Sequence, residues 1–380
     1  MKVAICARTL GENGGIGVYT RNLLDNMLPF ASDHELVIFY STRTDIGRFR
    51  HLSNVKEIFV PAKTKLLWDQ VVTPYHAAKQ GVDLIFHPKM SVPLVTKAKT
   101  VLVLHGSERF VYPQFSHKSD LLYFKTLYRL YMNRATAIIS VSYNAARDLV
   151  RFWHIDPSKV TTVHLAPAPY FRKLDDCAAL EAVRRKYNLP ERFILNVGLI
   201  YPGKNIPNLL RALKRVRAHE DVKLVLAGTG RRLYQDDLKQ IGELGLEDSV
   251  CLPGYIPHDD LVAVYNLAEV VAFPSFYESF GLISLEAMAC GCPVVVSRTG
   301  GAPEAAGDAG CYVDPADEVS IADAILRVLT DARLRQEVIE KGFRNVKCFS
   351  WEKAARETLE VFESVAKSEG PTRCGNVSRG

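Results

Sequence analysis

YESFGLISLEAMACGCPVVV, residues 277–296, sets Glu278 and Glu286 eight positions apart with Ser279, Phe280 and Gly281 after the first of them. Residues 282–290 carry Leu282, Leu285 and Met288 at helical spacing, and Gly291 suits the left-handed residue that ends a helix. The preceding run VVAFPS and the following PVVVS are continuous, β-branched and apolar, as strands buried on both faces of a parallel sheet are. The stretch therefore reads as strand, loop, helix, strand. A helix start followed by a buried strand accounts for the apolar residues but gives no reason for two acids on either side of the helix tip.

Working outward, the same alternation fills the chain. VAICA, ELVIFY, DLIFHP, TVLVLH, AIISVS and KVTTVHLA are strand candidates in the first half, with helical patterns such as VYTRNLLDNML and YNAARDLVRFW between them. LAPAPYFRKLD, residues 165–175, is rich in proline and marks a linker. FILNVG, KLVLAG, VCLPG, VVAFPS, PVVVS and CYVDP then restart the pattern. The expected fold class is α/β, with two doubly wound parallel-sheet domains at residues 1–175 and 176–350. Residues 351–366 are expected to form a closing helix and 367–380 a disordered tail.

Composition excludes several classes. With 48% hydrophobic and 24% charged residues in 380, the chain is globular, and no run is long enough to cross a membrane. MKVAICARTL reads as a first strand rather than a signal peptide. The eight cysteines lie apart without metal-ligand spacing, so no zinc site is expected, and reduced thiols point to the cytoplasm. Of the 48 basic residues 23 fall in residues 1–175 against 13 acids, so an overall charge of +6 conceals a basic first half. That balance fits either a solvated face or an anionic partner such as a lipid surface, a lipid-linked phosphate or an acidic glycan. HKSDLLYFKTLYRLYMNR, residues 117–134, mixes basic and aromatic residues at helical spacing. It reads as a core helix with basic ends or as an interfacial helix whose Lys118, Lys125, Arg129 and Arg134 meet headgroups. WDQVVTP, with Trp68 and Gln70, is a candidate mobile loop on the acceptor side.

In doubly wound sheets ligands sit beyond the carboxyl ends of the strands. Four loops there carry chemistry. GENGGIGVY brings Gly14 and Gly15 to a helix start, where backbone N–H groups can meet phosphate, although a tight turn explains the glycines equally. His105 ends TVLVLH and faces the cleft or serves as a hydrogen-bonded structural histidine, whereas His87 beside Pro88 reads as structural. Lys204 and Asn205 precede a helix, where a lysine neutralises phosphate as a point charge. LVLAGTG offers Gly228 and Gly230, and VCLPGYIPHDDL sets Tyr255 and Ile256 where main-chain groups can meet a planar base. At ~1.5 Å per helical residue, Glu286 stands roughly 9 Å from the loop, a span that suits a nucleoside-diphosphate sugar.

PSFYESFGLISLEAMACGCPVVVSRTGGAPE resembles the donor-binding segment of the retaining GT-B glycosyltransferases of family 4, the glycosyl transferases of group 1, with its E-x7-E pair. GGIGVYTRNLL, VGLIYPGKN, LVLAGTG and VCLPGYIPHDDL follow in the family's order, so the resemblance spans nearly all of residues 1–366. It implies the GT-B fold: two Rossmann-like domains facing across a cleft, with the C-terminal helix packing back towards the first. It implies transfer of a hexose or hexosamine to a hydroxyl acceptor with retention, giving an α-linkage. The substrate is a nucleoside-diphosphate sugar, a UDP-sugar being favoured over GDP-mannose, with no cofactor and no metal requirement.

By that resemblance Gly14 and Gly15 bring N–H groups to the diphosphate, Lys204 neutralises it, and Asn205 stands beside it. Ile256 bonds the base through its main chain, Glu278 holds hydroxyls of the transferred sugar, and Glu286 holds the ribose. Ser279, Phe280, Gly281 and Leu282 line diphosphate and sugar, and His105 stands beside sugar and acceptor. The acceptor is a glycan, a lipid-linked or anionic molecule, or a small molecule, with peripheral contact on the cytoplasmic membrane face allowed and nucleic acid excluded. Two positions depart from the family: Leu199 where Arg is common and Gly106 where Asp is common. A nucleotide-sugar epimerase of the same fold and a non-catalytic nucleotide-sugar binding module remain alternatives.

Overall fold

The computed structural model describes residues 1–12, 14–116, 118–229 and 234–368. Gly230, His117 and residues 369–380 of the expected tail lie outside them.

Seven strands, β1 (Lys2–Cys6), β2 (Glu35–Tyr40), β3 (Val55–Phe59), β4 (Leu84–His87), β5 (Lys99–Leu104), β6 (Ala137–Ser140) and β7 (Val160–Thr162), form one sheet. Six more, β8 (Phe193–Val197), β9 (Lys223–Ala227), β10 (Val250–Gly254), β11 (Val270–Phe273), β12 (Val294–Ser297) and β13 (Gly310–Val313), form the other. Every pairing is parallel. The orders are β3-β2-β1-β4-β5-β6-β7 and β10-β9-β8-β11-β12-β13, each reversing direction beside its first strand. The central strands are apolar end to end because helices cover both faces; Val3, Ala4 and Ile5 of β1 and Val294, Val295 and Val296 of β12 are fully buried.

The β3 strand was not expected from the sequence. VKEIF carries two charges because β3 is an edge strand, buried only in part. The stretch from Trp68 is no mobile loop either. Trp68 is buried within a helical turn and donates from Nε1 to the carbonyl of Val60 at 2.7 Å, while Gln70 brackets Val92 and Leu94 of a neighbouring segment.

Residues 118–134 wind as one helical segment with a wide turn at Phe124–Tyr128. Phe124, Tyr131 and Met132 face the core, whereas Leu122, Tyr123 and Leu130 face out. Arg134 is a correction. Its guanidinium donates to the carbonyls of Leu94 and Thr96 and so fastens a loop instead of reaching for a headgroup.

The closing helix, Trp351–Lys367, returns to the first sheet as expected. Ser350 caps its start by accepting from the Lys353 amide at 3.1 Å. Trp351, Ala355, Leu359 and Phe362 enter the cluster built by β1, β4 and the helix Gly15–Met27, with Phe362 packed 5.0 Å from the ring of Phe86. At its far end Lys99 of β5 donates to the carbonyls of Val365 and Ala366, which are left unpaired by helix geometry.

The helix is thus held by core packing at one end and a cation at the other. Phe362→Ala is expected to destabilise the fold by about 3–5 kcal/mol through the cavity it leaves. A urea melt showing an unchanged midpoint would refute the packing role given to the closing helix.

Candidate active site

The site lies where the carboxyl ends of both sheets meet. After β11 the chain runs through Ser275 and Phe276 into Glu278, then turns at Gly281, whose φ of +98° caps the helix Leu282–Ala289. A side chain at Gly281 is excluded by that backbone and by Ala302, 3.3 Å from where a Cβ would stand. The loop after β12 presses on this segment. Gly301 donates its amide to the carbonyl of Glu278 at 2.7 Å, and a Cβ on Gly300 would sit 2.6 Å from the same oxygen.

Lys204 follows β8 in a short 3-10 turn and meets Glu278, Nζ to Oε1 2.8 Å, with both side chains largely buried. The ring of Phe273 lies 4.2 Å from the ammonium and fixes its approach. Two residues assigned to one site by resemblance, 74 positions apart in sequence, are here joined by a bond.

Glu286 is the fifth residue of its helix and is buried. Tyr265, from the helix His258–Leu267, donates its hydroxyl to Oε2 at 2.9 Å. Burial pushes the Glu286 carboxyl up to about 7 against the opposing pull of that hydrogen bond. Tyr265 was not foreseen; as the fifth residue of the apolar helical run LVAVY, residues 261–265, it reads as core.

Gly14 caps the helix Gly15–Met27, and a Cβ on Gly14 or Gly15 would touch nothing within 4 Å. Their sides are open, as backbone approach to an anion requires. The glycine demanded by packing is Gly17, where a Cβ would lie 1.9 Å from the carbonyl oxygen of Glu12.

His105 follows β5 and is largely enclosed, its ring edge-on to Tyr19 at 4.8 Å. Nε2 stands 2.9 Å from the carbonyl oxygen of Pro88, which only accepts, so Nε2 carries the proton and Nδ1 is an acceptor. Burial lowers its pKa to about 4, outweighing the Pro88 bond, so the ring is neutral at neutral pH. His87, by contrast, is the fully buried last residue of β4, in keeping with a structural role.

Three expected contacts take another form. The Asn205 side chain is turned inward, donating to the carbonyls of Pro274 and Pro315, and its φ of +60° explains an asparagine there. These bonds hold the loop that carries Lys204. Phe280 is 2% exposed and belongs to the first domain's core cluster, its ring stacked on His164 at 5.3 Å, so only its backbone faces the loop. The Ile256 side chain is core as well, consistent with a main-chain role alone.

The two departures from the family pattern have local settings. A Cβ on Gly106 would lie 2.1 Å from the hydroxyl of Ser279 in the facing domain, so an aspartate there would require Ser279 to turn away. Leu199 precedes Ile200, whose amide donates to the carbonyl of Thr229.

A second carboxylate fastens the two halves. Glu304 accepts from the amides of Tyr143 and Asn144 at 2.7 and 2.6 Å, capping the helix Tyr143–Trp153 of the other domain, and lies 3.1 Å from His164 Nε2. Ser142 adds a bond to the carbonyl of Ser279 at 2.6 Å. Glu304 was overlooked although it closes the quoted motif; the Gly300-Gly301 pair before it was the available signal.

Comparison with known proteins agrees with this arrangement. Residues 13–166 match the family described as Glycosyltransferase Family 4, and residues 181–345 match Glycosyl transferases group 1. O-antigen chain mannosyltransferase B of Escherichia coli is 31% identical over 291 residues, 76% of this chain and 76% of that protein. D-inositol 3-phosphate glycosyltransferase of Salinispora tropica is 33% identical over 250 residues, 61% of this chain and only 52% of the relative. The crystal structure of HepE from Anabaena, in complex with UDP and glucose, has a TM-score of 0.76 at 18% identity, covering 96% of this chain and all of that one. That last likeness establishes the GT-B fold. With matches across both sheets and a relative aligned over three quarters of each chain, this protein belongs to the group 1, family 4 glycosyltransferases.

Proposed function

We propose that the protein is a retaining glycosyltransferase that moves a hexose from a nucleoside-diphosphate sugar onto a hydroxyl acceptor, forming an α-linkage. The observation that carries this reading is the Lys204–Glu278 pair at the tip of the helix that bears Glu286. The helix N-terminus and Lys204 offer positive charge to the departing diphosphate, the group on which negative charge grows as the glycosidic bond breaks. Glu278 then exchanges its bond with Lys204 for hydroxyls of the sugar, and Glu286 accepts from the two ribose hydroxyls. The acceptor proton passes to a donor phosphate oxygen, so neither glutamate serves as general base. Neutral His105 accepts a sugar hydroxyl at Nδ1. The mannosyltransferase relative makes a mannosyl donor the first to assay, alongside UDP-glucose.

On the acceptor side, outward-facing Leu122, Tyr123 and Leu130 alternate with Lys118, Lys125 and Arg129, supporting peripheral contact with an anionic membrane. Among the described residues no helix is long and apolar enough to span one.

Three outcomes follow from these roles. Lys204→Ala and Glu278→Gln should each lower turnover by ~10² or more, since each removes or misplaces a transition-state contact. Near-normal rates in both, with donors screened as above, would remove the site assignment. Donor affinity should weaken as pH falls through about 7, where Glu286 takes up a proton and can no longer accept from both hydroxyls. The stability sign is opposite. A carboxyl whose folded pKa is raised binds a proton more readily when folded, so its contribution to stability falls as pH rises from about 4.5 to 7. Glu286→Gln should therefore melt higher than the parent at pH 8 while binding UDP and GDP more weakly. A variant with unchanged melting and unchanged affinity contradicts both assignments. Finally, pelleting with phosphatidylglycerol vesicles should be salt-sensitive and reduced in Leu122→Ser/Leu130→Ser. Equal pelleting of variant and parent would dismiss the membrane contact.

A further inference from the structure

A cluster of charged groups lies in the first domain that the donor-site reading does not use. Asp69, Lys89 and Arg8 converge above the carboxyl ends of β1 and β4. These strands are neighbours, and the sheet order reverses between them. Crevices at such reversals are where doubly wound sheets take ligands. Lys89 Nζ donates to both oxygens of Asp69 at 2.9 Å, and the hydroxyl of Ser91 donates to Oδ2 at 3.1 Å. Asp69 is thereby committed to Lys89.

Arg8 is the group left over. Its Nε lies 3.9 Å from Asp69 Oδ1, beyond hydrogen-bond reach, is shielded from solvent and has no partner. Its NH1 is 3.7 Å from Glu12 Oε1, an ionic contact without a hydrogen bond, and the Glu12 side chain is 45% exposed. The Arg8 side chain is 88% covered, its buried Nε–H is costly to leave unpaired unless an acceptor arrives, and its planar fork is shaped for an oxyanion. His87, also at this place, is neutral because burial lowers its pKa to about 3, so it adds no charge. The position relative to the chemistry is fixed by one residue. Pro88, between His87 and Lys89, is the one whose carbonyl accepts from His105.

We propose that Arg8, with Lys89 held against Asp69, forms an acceptor subsite for an anionic group, a phosphate monoester or diester carried by the molecule that receives the sugar. This deepens the proposed glycosyl transfer and rests on it for the neighbouring hydroxyl. Glu12 covers Arg8 from outside and competes with the incoming oxyanion. Arg8 and Lys89 act as binding residues; neither takes part in bond making.

Calorimetric titration of the full chain tests it, with mannose 6-phosphate, glucose 6-phosphate and inorganic phosphate as probes against unmodified mannose and glucose. Phosphatidylinositol vesicles form a separate arm that distinguishes a lipid headgroup from a free phosphorylated sugar. The parent should bind at least one phosphorylated probe about tenfold or more tighter than its neutral counterpart, as loss of a charge-assisted bond implies. Arg8→Gln should abolish that preference, Glu12→Gln should increase it, and the affinity of Arg8→Gln for UDP and GDP should match the parent's. If Arg8→Gln fails to fold, Arg8→Lys keeps the charge without the fork and should show a partial loss in the same titration. Absence of any phosphate preference in the parent, on sugars and vesicles alike, overturns the proposal, as does a preference that survives Arg8→Gln. A parallel fall in UDP affinity would place Arg8 at the donor and overturn it too. Failure of UDP and GDP to bind the parent would sink the donor reading separately, leaving the phosphate comparison intact.

Discussion

The backbone of Glu278, Ser279 and Phe280 is gripped from both domains, and the placing of the charged groups depends on that grip. From its own domain, Gly300 and Gly301 approach so closely that any Cβ would collide with it, and the Gly301 amide bonds the Glu278 carbonyl. From the facing domain, Ser142 bonds the Ser279 carbonyl and Gly106 leaves space for the Ser279 hydroxyl. The ring of Phe280 plugs the first domain's core. A side chain that looks in sequence like part of a ligand loop is therefore the peg that sets the loop's height. Relative motion of the two sheets must break these contacts, so the Glu278 carboxylate is positioned by domain closure as much as by its own fold.

Glu286 and Glu304 show how the same side chain reaches opposite states. Both are substantially buried, and burial alone disfavours the charged form. Glu286 receives a single hydroxyl, and its carboxyl rises to about 7. Glu304 meets the same opposition from burial, but His164 and the amides of Tyr143 and Asn144 donate to it and its pKa falls below the ordinary value. Those amides head a helix, whose dipole adds to the pull. One carboxylate is thus locked as a charge between domains, and the other is held close to its titration point. The ribose of the proposed donor, with two hydroxyl donors, would supply Glu286 with what Glu304 already has.

How much of this was legible follows from the range of the interactions. Parallel strands buried on both faces announce themselves, so twelve of thirteen strand segments read directly; β3 did not, because its edge position permits Lys56 and Glu57. Lys204 and Glu278 were visible because each stands in a loop after a strand, and Glu286 because it is an acid in the otherwise apolar helix that follows. What stayed hidden was direction. Nothing local tells that the Asn205 amide turns towards Pro274 and Pro315, or that Arg134 fastens Leu94. Partners supplied by distant segments, Tyr265 to Glu286 and Glu304 to Tyr143, were out of reach for the same reason.

The Lys204–Glu278 pair is better understood as a switchable contact than as a stabilising one. Both side chains are close to nine-tenths covered, and withdrawing two such charges from water costs several kcal/mol, roughly what their attraction returns. Apolar residues of similar size would hold this corner as well, and Phe273 already lies against it. The pair instead keeps each charge compensated and aimed. In the proposed transfer Lys204 would pass to a diphosphate and Glu278 to sugar hydroxyls in a single exchange, so that each charge would find a new partner as it leaves the old one. Removing either residue strands its partner in a low-dielectric cleft, which is why the charges must be kept together even where stability gains nothing from them.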